Sequence, residues 1–324
     1  MKAIIYTEYG PPDVLHLRDV PKPTPRDNEV LIRVGATTVN RTDSARLRAQ
    51  PFIMRFTTGL RKPRNRIPGT DFAGNVEAVG KDVKSLKVGD DVFGFDDNGV
   101  SSQAQYTTYP EPKGIATMPQ NLSYEQAVAC LEGAHYAYNF VNKVTLVRGQ
   151  KVLVNGATGA IGAAAVQLLT YFGADVTAVC ASENEELVRS LGATTVIDYT
   201  KEDFTKVNET YHYVFDTVGK SSFKKCKPLL QSGGIYMSSE LGWMAQNLLF
   251  TLITPIFSDK KVRFPLPTNH RRTVLFVKQL CEEGAFRAVI DRNYPLEDIA
   301  EAYRYVETGQ KIGNVVITIE HTKI

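Results

Sequence analysis

Hydrophobic positions change rhythm about midway along the chain. Up to roughly residue 123 they form short β-branched runs broken by Gly and Pro, as in VLIRVGATTV (30–39), GNVEAVG (74–80) and DDVFGF (90–95). Short runs between turn residues predict an irregular β-rich domain. From about Gln150 the pattern becomes strand, helix, strand, helix. KVLVNG (151–156) is an apolar run ending in glycine, and AAAVQLLTYFG (163–173) is apolar nearly all round. The second predicts a buried helix stopped by Gly173. DVTAVCA (175–181) is the next strand, ENEELVRSLG (183–192) an amphipathic helix, and TTVIDY, YVFDTVG and GGIYMSS are further strands. This alternation predicts a doubly wound α/β sheet of parallel strands. The tail offers a helix at 271–284, a strand AVID, a helix at 296–309 and a strand NVVITI (314–319). These are too few for a domain and are expected to return to the β-rich one.

Composition narrows the function classes. Hydrophobic residues make up 43% and charged residues 23% of 324, which fits a globular protein and not a disordered one. The net charge is +3, with Lys and Arg scattered along the sequence, so no nucleic-acid footprint is expected. Cys130, Cys180, Cys226 and Cys281 lie far apart, without the close pairs of a zinc lobe or the density of a disulfide framework. Reduced thiols and an N-terminus without a signal-peptide core point to the cytoplasm. The most apolar stretch, Trp243–Phe257, is broken by Gln246, Asn247 and Pro255 and is too short to span a bilayer. It carries no basic residues of its own, so it is expected to be buried against the protein, near the cleft mouth or on a dimer partner, and not inserted in lipid.

The chemistry-bearing motif is VLVNGATGAIG (152–162), in which Ala157-x-Gly159-x-x-Gly162 follows a strand and opens a helix. That is the dinucleotide fingerprint with alanine at its first glycine. Gly159 would let the backbone approach a pyrophosphate, and Gly162 would let helix and strand pack closely. The helix N-terminus, from Gly156, Ala157 and Thr158 into Ala160 and Ile161, would meet the anion. NAD enzymes carry an acidic residue about 20 residues further on. Here the second strand ends at Ala181 and Ser182, without a carboxylate, which favours NADPH over NADH. Glu183 follows at once; it would repel a 2′-phosphate if it pointed inward, or else it is a solvated residue of a helix first turn.

The chain resembles the medium-chain dehydrogenase/reductases, in the zinc-independent quinone oxidoreductase branch that includes zeta-crystallin. The resemblance is carried by VNRTD (39–43), PGTDFAGNVEAVGKDVKSLKVGDDVFG (68–94), NGATGAIG, VIDY, FDTVG, LLQSGG and KIGNVVITI. It implies a GroES-like domain over 1–122 and 286–324, a Rossmann domain over 123–285, and an active site in the cleft between them. The zinc-dependent branch places Cys, His and Glu where this chain has Asn40, Thr70 and Asp71. No metal is therefore expected, and the acceptor should be intrinsically electrophilic: a quinone or a conjugated enone.

The same resemblance implies site residues. Asn40 would line the nicotinamide pocket and hold the acceptor carbonyl, or merely stabilise its own turn. Tyr136 occupies a position near the nicotinamide, as a pocket wall. Tyr199 would help hold a 2′-phosphate, and Thr217, Val218 and Gly219 would flank the dinucleotide. Ser238 ends the next strand and points to the same cleft. Residues 44–67 hold several arginines, among them Arg46, which either greet an anionic substrate or form a solvated loop. Tyr106 reads as core, Asp43 as structural, and His135 shows no metal spacing. The expected function is hydride transfer from NADPH, or more weakly NADH, to a quinone or enone. The alternatives are an enoyl-thioester or aldehyde reductase, or a nucleotide-binding structural or membrane-associated protein with little turnover. A homodimer is expected through the Rossmann edge around Val262–Leu266.

Overall fold

The computed structural model describes residues 1–52, 54–266 and 269–321. Two compact units emerge, 1–132 with 269–324, and 133–268. The first opens with an antiparallel pair, β1 (Lys2–Ile5) and β2 (His16–Asp19). Then come β3 (Glu29–Val39), β4 (Asp71–Val79), β5 (Asp91–Phe95), β6 (Tyr106–Pro110) and β7 (Ile115–Thr117). The second unit holds β8 (Lys151–Asn155), β9 (Asp175–Cys180), β10 (Thr195–Asp198), β11 (Tyr211–Asp216), β12 (Leu230–Ser238) and β13 (Lys261–Val262). The chain then returns to the first with β14 (Ile290–Pro295) and β15 (Asn314–Thr318).

In the first unit seven strands run in the order β14-β15-β3-β4-β5-β7, with β6 also paired to β3. Strand β3 is long and almost entirely buried because partners lie along both its edges. Its Val30, Ile32 and Val34 meet Phe72, Val76, Val315 and Ile317 in one core. Helix Tyr124–Ala129 packs on β3 and β15, and helix His270–Glu282 on β7. Lys278 Nζ donates to Thr117 Oγ1 at 2.6 Å and Arg271 to the Glu111 carbonyl at 2.9 Å. By these contacts residues 123–132 and 269–285, read from sequence as part of the second domain, group with the first unit.

The second unit is a six-stranded parallel sheet in the order β10-β9-β8-β11-β12-β13. The order reverses beside β8, the topological switch point where such sheets take ligands. Helix Ala160–Tyr171 buries every residue from Gly162 to Leu169, in keeping with its uniformly apolar sequence. Each fully buried Val or Leu there stabilises by roughly 1.5–3 kcal/mol.

Within a single chain the segment Trp243–Phe257 is not buried: its helix, Gln246–Phe257, turns Asn247 and Thr254 inward and leaves Leu249, Leu252, Ile256 and Phe257 exposed. The edge at 262–266 also differs from an open template. The N–H groups of Val262, Arg263 and Leu266 are given to Thr254 Oγ1, the Tyr236 carbonyl and the Phe264 carbonyl. Pro265 has none.

Candidate active site

Where β8 ends, the chain must turn from strand to helix within a few residues. Gly156 makes the turn at φ +81°, and a Cβ there would lie 2.8 Å from Val218. Gly156, just before the fingerprint, therefore makes the turn. Ala157 is fully buried and donates its N–H to the Val179 carbonyl. A Cβ on Gly162 would fall 2.1 Å from the Gly156 carbonyl oxygen, so only glycine lets the helix close on the strand. Gly159 is the opposite case: a Cβ would meet nothing nearer than that same oxygen at 3.6 Å. Its backbone lies open, and Thr158, Gly159, Ala160 and Ile161 are all half-exposed. The first N–H groups of the helix have no carbonyl within it to bond. The result is a cradle for an anion, and it fits a dinucleotide pyrophosphate.

The other candidates of this unit gather at the same edge of the sheet. Register pairs Asn155 with Asp216, Asp216 with Ser238, and Cys180 with Asp198, so the strands end level. Thr217 donates its hydroxyl to the Asn155 carbonyl at 2.8 Å, and Val218 lies against Gly156. Gly219 adopts φ +70°, where a Cβ would meet Glu240 at 2.1 Å. Ser238 is buried, its hydroxyl accepting from the Glu240 N–H. Tyr136 is half-buried on helix Glu132–Val141, whose Gly133 comes so close to Ala160 that a Cβ would lie 2.5 Å from its carbonyl oxygen.

Asp216 organises this edge, and the sequence reading missed it although FDTVG contains it. Its fully buried carboxylate accepts from Asn155 Nδ2 (2.9 Å), Gly219 N (3.0 Å), Ser221 N (2.9 Å) and Tyr236 Oη (3.1 Å). Burial and the Asp216 charge push the Tyr236 phenol far up, keeping it a donor. The ribose end also holds a surprise. Strand β9 carries no carboxylate at its tip, but the neighbouring tip does: Ser182 donates its hydroxyl to Asp198. Asp198 also accepts from Thr200 and pairs with Lys201 at 3.2 Å, and the Ser182 and Thr200 hydroxyls hold it well below the usual carboxylate range. Tyr199 and Glu183 are exposed beside it.

In the first unit β3 delivers Asn40 to the start of helix Arg41–Arg48. Asn40 is buried, and its N–H goes to Asp43 Oδ2 at 2.9 Å. Its Nδ2 donates to Thr38 Oγ1, which passes its own proton toward Asp71 Oδ2. That chain fixes which way the amide points, and Oδ1 has no partner among the described residues. Asp43 is pushed up to about 7, first by burial and then by Asp71; Asp71 rises to about 6, because burial outweighs its threonine donors. Arg46 lines a small cavity with Tyr6, Asp43, Leu47 and Asn65, but its guanidinium is tied to the carbonyls of Asp97 (2.8 Å) and Asn98 (2.6 Å).

At the positions of the zinc-dependent branch, Asn40, Thr70 and Asp71 offer an amide, a hydroxyl and a carboxylate whose two oxygens are occupied by Thr37 and Thr38. Tetrahedral zinc prefers thiolate and imidazole, so these residues do not fit it.

The alcohol dehydrogenase GroES-like domain family matches residues 26–148, and the zinc-binding dehydrogenase family matches 191–317. A 2-methylene-furan-3-one reductase of Solanum lycopersicum is 33% identical, covering 98% of this chain and 79% of its own. The chain belongs to the medium-chain dehydrogenase/reductase superfamily. Within that superfamily it sits in the quinone oxidoreductase branch. An NADPH-dependent alkenal/one oxidoreductase of Arabidopsis thaliana chloroplasts is 30% identical over the same shares of the two chains. The quinone oxidoreductase from Coxiella burnetii superposes with a TM-score of 0.87 at 26% identity, covering 99% of both chains. The medium-chain fold accounts for the GroES-like and Rossmann parts, and the relatives support use of a nicotinamide cofactor. Among the described residues no helix is long and apolar enough to cross a membrane.

Proposed function

We propose that the protein is an NADPH-dependent reductase that passes a hydride to a quinone or conjugated enone without a metal. One observation carries the reading: the open backbone over Gly159, at the switch point of a parallel sheet, where a dinucleotide pyrophosphate belongs. The acceptor class follows the relatives named as reductases of quinones, alkenals and a methylene-furanone.

The cofactor supplies the hydride, and the chain's residues bind and orient. Gly156 to Gly162 take the pyrophosphate, and Thr217, Val218, Gly219 and Ser238 flank it. Ser182 and Tyr199 are taken to hold the 2′-phosphate, which requires the Ser182 hydroxyl to turn from Asp198 and Lys201 to offset that carboxylate; the preference for NADPH over NADH follows the relative named NADPH-dependent. Asn40 spends one amide N–H on Thr38 and keeps the second for the acceptor carbonyl, where negative charge develops as hydride arrives. Tyr136 serves as a wall. Arg46 serves the pocket by holding the Asp97–Asn98 loop. Four unbridged, buried cysteines support a reducing compartment such as the cytoplasm. Assembly is proposed as a homodimer meeting around Val262–Leu266 through side chains, because the edge has few N–H groups left for strand pairing.

The test is steady-state turnover with a panel of quinones, enones and enoyl thioesters, using NADPH and NADH in buffer containing a chelator. Faster turnover of quinones or enones with NADPH is expected. Dependence on added zinc, a preference for NADH, or activity confined to thioesters would overturn the proposal.

A further inference from the structure

Helix Gln246–Phe257 is built inside out. Its polar side chains face the protein: Asn247 Nδ2 donates to the Glu240 carbonyl at 2.8 Å, and Thr254 Oγ1 accepts from Val262 N at 2.9 Å. Its outer face repeats apolar residues at helical spacing, Leu248, Leu249, Leu252 and Ile256, with Leu252 72% and Ile256 74% exposed. Both ends extend that face. Phe257 is 81% exposed, and Trp243 and Met244 are 76% and 80% exposed. The turn that projects them keeps Gly242, Met244 and Ala245 in the left-handed region. Left-handed backbone at Met244 and Ala245 costs energy that burial of the tip would offset. Large contiguous apolar patches of this kind mark surfaces with an apolar partner.

The charge around the patch says which partner. Residues 220–263 hold seven basic and two acidic residues, a net +5 in a chain of +3, so the remainder is net negative. The fold draws these cations to the apolar helix. Phe223, at the start of the short helix bearing Lys224 and Lys225, packs its ring 5.8 Å from Phe250. Lys260 Nζ bonds the Lys227 carbonyl at 3.0 Å, bringing both ends of the basic segment together. Among the described residues no carboxylate pairs with Lys220, Lys224, Lys225, Lys227, Lys260 or Lys261. An exposed apolar helix face adjoining a segment of lysines without carboxylate partners matches the boundary between acyl chains and anionic headgroups.

We propose that Trp243–Phe257 docks the protein onto an anionic lipid surface, the helix lying in the interface and the lysines meeting the headgroups. The inference is independent of the acceptor and cofactor.

Trp243 is the chain's one tryptophan, so its emission reports on this surface alone. The full-length protein is mixed with phosphatidylcholine vesicles containing or lacking phosphatidylserine. Trp243 emission and vesicle flotation are followed. A blue shift and flotation with the anionic vesicles, reversed by high salt, are expected. Leu252→Glu should abolish both while leaving NADPH oxidation unchanged. Lys224→Gln with Lys225→Gln should weaken binding about 25-fold, since each cation near such a surface contributes about fivefold. Emission and flotation that ignore anionic lipid overturn the proposal. So does a blue shift that grows with protein concentration without vesicles and accompanies a doubled mass, which would make a second copy the occupant.

Discussion

Replacing Gly159 and Gly162 by alanine, one at a time, separates the space a cofactor needs from the space the fold needs. On Gly162 the new Cβ would lie 2.1 Å from the Gly156 carbonyl oxygen and 2.8 Å from Ala157 Cα, both backbone atoms with no flexible end to swing aside. Helix Ala160–Tyr171 must then lift from β8, and overpacking of this kind costs about 1–3 kcal/mol. On Gly159 the nearest atom is 3.6 Å away, an ordinary contact, and φ is −69°. The only folding cost is that of alanine at an N-cap position, below about 1 kcal/mol. The methyl group does, however, project over the open backbone and hold a pyrophosphate off the first N–H groups. Losing two charge-assisted hydrogen bonds at about 1.5–3 kcal/mol each weakens binding at least a hundredfold. Chemical denaturation and fluorescence titration with NADPH give the two readouts. Gly162→Ala should lose stability and affinity together, and Gly159→Ala affinity alone. A Gly159→Ala protein that binds NADPH as tightly as the parent would falsify the placement of the pyrophosphate.

Asp216→Asn keeps the shape of the side chain but sets an NH₂ against donors that now meet a carboxylate. Stability should fall by about 2–4 kcal/mol and NADPH affinity with it, measured by denaturation and titration; an unchanged midpoint would show that the cluster is incidental. Asp43 is raised in the folded state, so its contribution to stability is whole below its ordinary pKa near 4 and is lost as pH rises through about 7. Asp43→Asn should therefore gain on the parent between pH 5 and pH 8, by a few kcal/mol at the upper end. Parallel stability-versus-pH curves for the two would contradict the buried, raised carboxyl.

The Rossmann part was legible because its signals are local. Apolar runs, glycine stops and the fingerprint each occupy a few neighbouring residues, and the strands ended where turn residues predicted. Asp216 and Asp198 were not recognised for the opposite reason. Asp216 matters through Asn155 and Tyr236, and Asp198 through Ser182, partners that only strand register brings alongside. That Gly156 takes the positive φ was not readable either, since the spacing of a motif does not say which residue makes the turn. The outward face of the apolar segment was not recognised because burial was inferred from composition. Its two inward polar side chains, Asn247 and Thr254, could equally have been read as the protein-facing side of an inverted helix.

Strand β15 lies between β14 and β3, and β3 precedes it by some 280 residues of chain. During synthesis the contiguous second unit can fold as it leaves the ribosome, whereas the first must wait with Ala36–Val39 of β3 bare until residue 318 emerges. For that interval an unpaired apolar strand edge is exposed to solvent, a template for aggregation. The cell therefore meets this protein first as a finished nucleotide-binding unit with an unfinished sheet on either side of it, and chaperone demand should fall on the early half of the gene.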